Sequence, residues 1–110
     1  MARDPLDLLY GSLDFLILQT LAWGPMHGYG VSSFIRRRTA GVLEIVDAAL
    51  YKSLHRLERQ GYIAGEWGAT EENRRAKFYT LTVAGRAALR AEASAWKQYV
   101  AAVHKVMEPA

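Results

Sequence analysis

The last quarter of the chain carries an apolar seam that its own fold has no room to cover. Leu89, Ala93, Trp96, Val100, Val103 and Met107 follow one another at intervals of 4, 3, 4, 3 and 4 residues. That alternation is a heptad repeat. With Thr82 as the cap, the spacing predicts a helix that runs to about residue 107. At 1.5 Å per residue it measures roughly 37 Å. A compact domain of about a hundred residues has a radius of gyration of only ~13 Å. The helix therefore projects beyond its own domain, and its seam needs a second chain. A homodimer is the physical expectation.

The remaining sequence divides into three helical patterns and one two-stranded pattern. Residues 5–23 repeat apolar side chains at Leu9, Leu13, Leu16, Ile17 and Leu21, with Tyr10, Phe15, Leu18 and Ala22 broadening the face. A helix apolar nearly all round is buried on two sides. Gly24-Pro25 stops it, since glycine tolerates the left-handed position and proline cannot continue the helix. A second helix is expected over residues 27–38, with Tyr29, Val31, Phe34 and Ile35 inward and Arg36-Arg37-Arg38 at its negative end. Residues 39–46 read as a loop. A third helix is expected over residues 47–60, with Asp47 as N-cap and Gly61 as its left-handed stop. Leu50, Leu54 and Leu57 give it a narrow apolar stripe, which leaves Tyr51, Lys52, Ser53, His55, Arg56 and Arg59 for a broad polar and basic outer face. Residues 62–67 and 75–81 then read as a β-hairpin with a long charged tip over 68–74.

Composition closes off several functions. The 110 residues contain no cysteine, which excludes disulfides, thiolate zinc sites and cysteine nucleophiles. His27, His55 and His104 stand in no metal-ligand spacing, and no glycine-rich phosphate loop follows a strand. The expectation is a protein that is not an enzyme and carries no cofactor or metal. Asp14 and Gln19 interrupt the densest apolar run, which is too short to span a bilayer. With no secretory leader pattern, the expected location is cytoplasmic.

The net charge of +3 is small, so the location of the cations matters more than their number. Lys52, Arg56, Arg59, Arg74, Arg75, Lys77 and Arg86 fall on the third helix and the hairpin or just after it. Two helices followed by a recognition helix and a hairpin is the winged helix-turn-helix order, in which the third helix enters the DNA major groove. A helix ~10–12 Å across fits a groove about 12 Å wide. Tyr51, Ser53 and His55 are candidates for backbone or base contacts, and Arg56 is the best-suited partner for guanine. Against this, Glu71 and Glu72 put negative charge at the hairpin tip. The fold expected is mainly α with a small β-hairpin: a winged helix-turn-helix domain over 1–82 and a C-terminal dimerisation helix over 83–110.

Three stretches carry a family resemblance. Residues 13–35 (LDFLILQTLAWGPMHGYGVSSFI), 49–68 (ALYKSLHRLERQGYIAGEWG) and 73–89 (NRRAKFYTLTVAGRAAL) together span most of the chain. The sequence resembles the PadR family of transcriptional regulators in its smaller form, with a single C-terminal helix. The resemblance implies a winged helix whose first and last helices build a homodimer, with Leu9 and Leu13 joining the seam residues there. It implies a roughly palindromic operator and, usually, repression. Recognition-helix positions of the family map onto Tyr51, Lys52, Ser53, His55 and Arg56, and wing positions onto Asn73, Arg74, Arg75 and Lys77. Lys52 departs from the proline many members carry after ALY, and the acidic tip departs from the frequent basic wing.

Multidrug-binding members stack flat aromatic ligands on a tryptophan at the place of Trp96. The resemblance therefore implies a planar or aromatic effector, with Phe15, Tyr99 and Val100 beside Trp96. A tryptophan on a heptad seam is equally an interface anchor. Two other readings remain open: a winged helix that docks an acidic protein partner, and a small-molecule-binding dimer without a specific DNA role.

Overall fold

A computed structural model describes residues 12–109. The start expected for the first helix, and Leu9 with it, lie outside the described residues. The elements are α1 (Leu13–Leu21), β1 (Met26–His27), α2 (Gly28–Arg38), α3 (Asp47–Arg59), β2 (Ile63–Ala69), β3 (Arg75–Leu81) and α4 (Val83–Met107). The architecture is mainly helical, with a winged helix core and a long final helix.

The core follows the apolar periodicity. Leu13, Ile17, Leu18 and Leu21 of α1 meet Val31 and Ile35 of α2, Leu50, Leu54 and Leu57 of α3, and Ile63, Tyr79 and Leu81 of the hairpin. Ile17, Val31, Leu50 and Leu54 are fully buried. Leu13, expected at an interface, is already buried within this core. Thr20, also buried, donates its hydroxyl to the Leu16 carbonyl at 2.7 Å.

Each helix end has a local cause. His27 caps α2, its Nδ1 accepting the Gly30 N–H at 3.1 Å. At the other end of α3, the Gly61 N–H donates to the Glu58 carbonyl and the Tyr62 N–H to the Leu57 carbonyl, each at 3.0 Å, with Gly61 at φ +81°. That is a Schellman stop. The same pattern closes α2 with a non-glycine residue, Ala40, at φ +51°. Asp47 does not cap α3; the cap is Val46 and makes no side-chain bond, so Asp47 serves only as first-turn charge.

The sheet differs from the expected hairpin in two ways. It has three strands in the order β1-β3-β2, because Met26 and His27 pair antiparallel with Tyr79 and Phe78. A two-residue strand is too short to show alternation in sequence. The hairpin tip is also shorter than expected. Pairing continues out to Ala69 opposite Arg75. Thr70 closes the turn: its N–H donates to the Arg74 carbonyl, and its own carbonyl and hydroxyl accept from the Asn73 and Arg74 N–H groups. Asn73 takes φ +59° there, a conformation asparagine tolerates.

Helix α4 contains 25 residues, or about 37 Å. Of its residues only Gly85 is buried. Leu89 packs on the core, Ala93, Val100 and Val103 are half-covered, and Trp96 and Met107 are exposed. The described chain has a radius of gyration of 15.4 Å and extends 56 Å along its long axis. The final helix stands out from the domain, as its length requires. No described helix is long and apolar enough to cross a membrane.

Candidate nucleic-acid interface

Helix α3 is held by one stripe. Leu50, Leu54 and Leu57 point into the core, so the rest of its circumference is left to other neighbours. The structure divides the expected outer face into two. Tyr51, Lys52, His55 and Arg59 are exposed. Ser53 is buried, and Arg56 turns towards α1, where its Nη2 donates to Asp14 Oδ1. A single polar face was too simple: at about 100° per residue, positions 53 and 56 flank the stripe on the α1 side.

The exposed part of α3 borders a broad cleft shared with the start of α2 and with the wing. Its lining includes Tyr29, Arg37, Tyr51 and His55 from the helices with His27 before them, and Trp67, Arg74, Arg75 and Lys77 from the wing, together with the acidic tip residues Glu71 and Glu72. The close approach of α2 and α3 depends on Gly28: a Cβ there would stand 2.8 Å from Tyr51 Cε1. The tyrosine ring is thereby seated against the α2 backbone. His27 stacks on Tyr29 at 6.3 Å and meets the edge of Phe78 at 5.3 Å. Since Nδ1 accepts the capping bond, the neutral ring carries its proton on Nε2.

On the wing, Arg74 and Arg75 are exposed, as is Asn73 in the turn. The Arg75 guanidinium lies 4.8 Å from the Trp67 ring centre, a cation–π contact that fixes its direction. Lys77 is engaged elsewhere: its ammonium donates to Glu58 Oε1 at 2.8 Å. That bond holds the ammonium pKa above its usual 10.5. Burial likewise raises the phenol pKa of Tyr79.

His27, Arg37 and Trp67 join the cleft although sequence reasoning did not single them out, and Tyr29, expected on the inward face of α2, is exposed there instead. The available signal was the glycine pair around Tyr29, which brings the first turn of α2 against the recognition helix. The arginine triplet also splits. Arg37 lines the cleft, while Arg38 lies 5.2 Å and 5.5 Å from the ring centres of Trp23 and Phe34.

A second hollow lies on the opposite side of α3. Phe15 and Trp96 are 6.1 Å apart, as are Trp96 and Tyr99. They border a cavity of about 580 Å³ whose wall includes Asp14, Ser53, Arg56 and Glu92. Trp96 remains 44% exposed in the chain. Val100 is absent from that wall. Among the described residues, no group of three His, Asp or Glu side chains is placed to hold a metal ion.

A half-open basic helix, set beside a hairpin that carries arginines, defines a DNA-binding protein of the winged helix class. The transcriptional regulator PadR-like family matches residues 17–91. The chain belongs to that family of transcriptional regulators. It is similar to a transcriptional regulator from Clostridium thermocellum, 29% identical, covering 93% of this chain and 96% of that one, with a TM-score of 0.82. It is similar to a PadR family regulator from Eggerthella lenta, 29% identical over 96% of this chain and 90% of that one, at a TM-score of 0.80. The structure of Bacillus subtilis PadR in complex with operator DNA is 26% identical, matching 71% of this chain and 44% of that one at a TM-score of 0.63.

Proposed function

We propose that this regulator is a homodimeric, ligand-responsive repressor that holds a palindromic operator through residues 47–60 and the wing over 62–82. The observation that carries the proposal is the cleft in which Tyr51 and His55 of α3 face Arg74 and Arg75 of the wing. Cations on two elements suit a duplex, whose phosphates flank each groove. Tyr51, Lys52, His55 and Arg59 are the contacts proposed from α3. Asn73, Arg74 and Arg75 are those proposed from the wing. Residues 1–82 serve as the DNA-binding unit and residues 83–110 as the dimerisation helix, acting in the cytoplasm. Dimerisation is supported by the seam of α4, whose residues from Trp96 to Met107 meet little of the chain's own core.

The response to a ligand is supported by the hollow beside Trp96. Because Ser53 and Arg56 form part of its wall, an aromatic guest stacked on Phe15, Trp96 and Tyr99 touches the recognition helix directly. A small rotation of two linked recognition helices abolishes simultaneous contact with two half-sites.

The test uses duplex DNA from upstream of the gene that encodes the chain, titrated against salt with random competitor. Binding is expected to weaken steeply with salt and to survive competitor. Arg75→Ala is expected to weaken it several-fold. Promoter affinity unchanged in both Arg75→Ala and His55→Ala overturns the cleft assignment. Planar dyes are expected to quench tryptophan emission, with the quenching lost in Trp96→Ala; equal quenching in that variant overturns the effector site.

A further inference from the structure

Lys77 carries a positive charge in the middle of the wing; it lines the cleft beside Arg74 and Arg75, but its ammonium is bonded to Glu58. From the inner face of β3 its stem runs over the backbone of Gly65 on β2 to reach Glu58 of α3. A Cβ at Gly65 would stand 2.3 Å from Lys77 Cε and 3.1 Å from Glu58 Oε2. In the strand register Gly65 lies opposite Tyr79 and Trp67 opposite Lys77. The side chain therefore crosses its partner strand on the diagonal, through a gap that only a missing side chain leaves open. Lys77 Nζ also lies 5.7 Å from the ring centre of the buried Tyr79. Both side chains of the ion pair are about 30% exposed, so salt screens them less than a free surface pair.

The contact has a mechanical meaning. The hairpin joins the domain at its base, through Ile63, Tyr79 and Leu81 in the core and through the pairing of Met26 and His27 with Tyr79 and Phe78, and its outer half is exposed. The Lys77–Glu58 pair ties it to the recognition helix partway along. Withdrawing Lys77 to a phosphate would leave the Glu58 carboxylate unpaired beside a polyanion, which is unfavourable.

We propose that Lys77 is a positioning residue: through Glu58, and across Gly65, it fixes the angle of the wing on the recognition helix. Phosphate contact falls to Arg74 and Arg75. The inference rests on the reading of α3 and the wing as the two DNA-contacting elements.

The experiment is fluorescence anisotropy on a duplex selected by the wild-type chain from a random pool, titrated over a range of salt. Lys77→Met and Glu58→Gln are each expected to weaken binding about three- to fivefold, the upper part of the range that exposed ion pairs reach. The dependence of log affinity on log salt keeps its slope. The double variant, with the wild-type net charge, is no weaker than either single one. Gly65→Ala displaces the end of Lys77 and crowds the Glu58 carboxylate, both side-chain ends rather than backbone, and is expected to keep the fold and weaken binding similarly. Thermal melts confirm folding of each variant.

A Lys77→Met slope flattened by about 0.9, with tighter binding in Glu58→Gln, makes Lys77 a phosphate contact and overturns the brace. Unchanged affinity in all the variants overturns it too. A wild-type chain that selects no duplex removes the DNA reading itself, and with it the role of the brace.

Discussion

The recognition helix and the final helix use apolar residues in opposite ways. In α3, Leu50, Leu54 and Leu57 are sealed inside the domain and everything functional is arranged around them. In α4, nearly twice as long, only Gly85 is buried and the large apolar side chains remain open to a degree that a lone domain has no use for. The difference separates two tasks. One helix is locked into its own fold so that its exposed face has a fixed direction. The other is packed by its first turns and leaves the rest of its seam open, the face that the proposed dimer would cover.

Mutations at the two places are expected to fail differently. Leu54→Ala removes a fully buried side chain and should cost about 2–5 kcal/mol of stability, read as a lowered unfolding midpoint in denaturant. Val100→Asp puts a charge on the seam. It is expected to give a folded single chain in sedimentation equilibrium, together with poor operator binding. A stable dimer in that variant would remove the contrast between the helices.

Smaller changes sharpen the contrast at the junction. Thr82 Oγ1 accepts the Gly85 N–H at 3.0 Å, and Thr82→Ala should cost about 1 kcal/mol, measurable by thermal melting. The smallest effect concerns alkaline pH. Both Lys77 and Tyr79 have raised pKa values in the folded chain, so folding favours their protonated forms. Their contribution is complete below pH 10 and declines as pH rises through the folded values. The unfolding midpoint should therefore drop above about pH 10, and the profile should change in Lys77→Met, which removes one of the two groups together with the cation that lowers the Tyr79 phenol pKa.

The helical core was legible because three leucines at helical spacing leave little choice of inward face. The left-handed stop at Gly61 and the threonine cap of α4 were legible for the same local reason. What escaped was governed by neighbours distant in the chain. Ser53 and Arg56 look like members of one basic face with His55, and only the position of α1 shows that they face Asp14. Lys77 looks like a wing cation alongside Arg75, and only the crossing over Gly65 reveals Glu58 as its partner. The short strand at Met26 exists because β3 is there to pair with it. Local periodicity specifies which side of an element is apolar; it does not specify which polar side chains find one another.

The junction ahead of α4 has a mechanical consequence. Thr82 donates its hydroxyl to the Gly61 carbonyl at 2.6 Å and its N–H to the Tyr62 carbonyl at 3.1 Å. Gly85 presses so close that a Cβ would sit 1.9 Å from the same Tyr62 oxygen. The long rod is thus riveted to Gly61 and Tyr62, the stop that follows α3 and leads into β2. For a lever of roughly 37 Å, a tilt of about 5° at that pivot sweeps the free tip through about 3 Å. By the same ratio, a proposed partner that shifted the tip by a few ångströms would turn the α4 base, beside the end of α3, by only a few degrees.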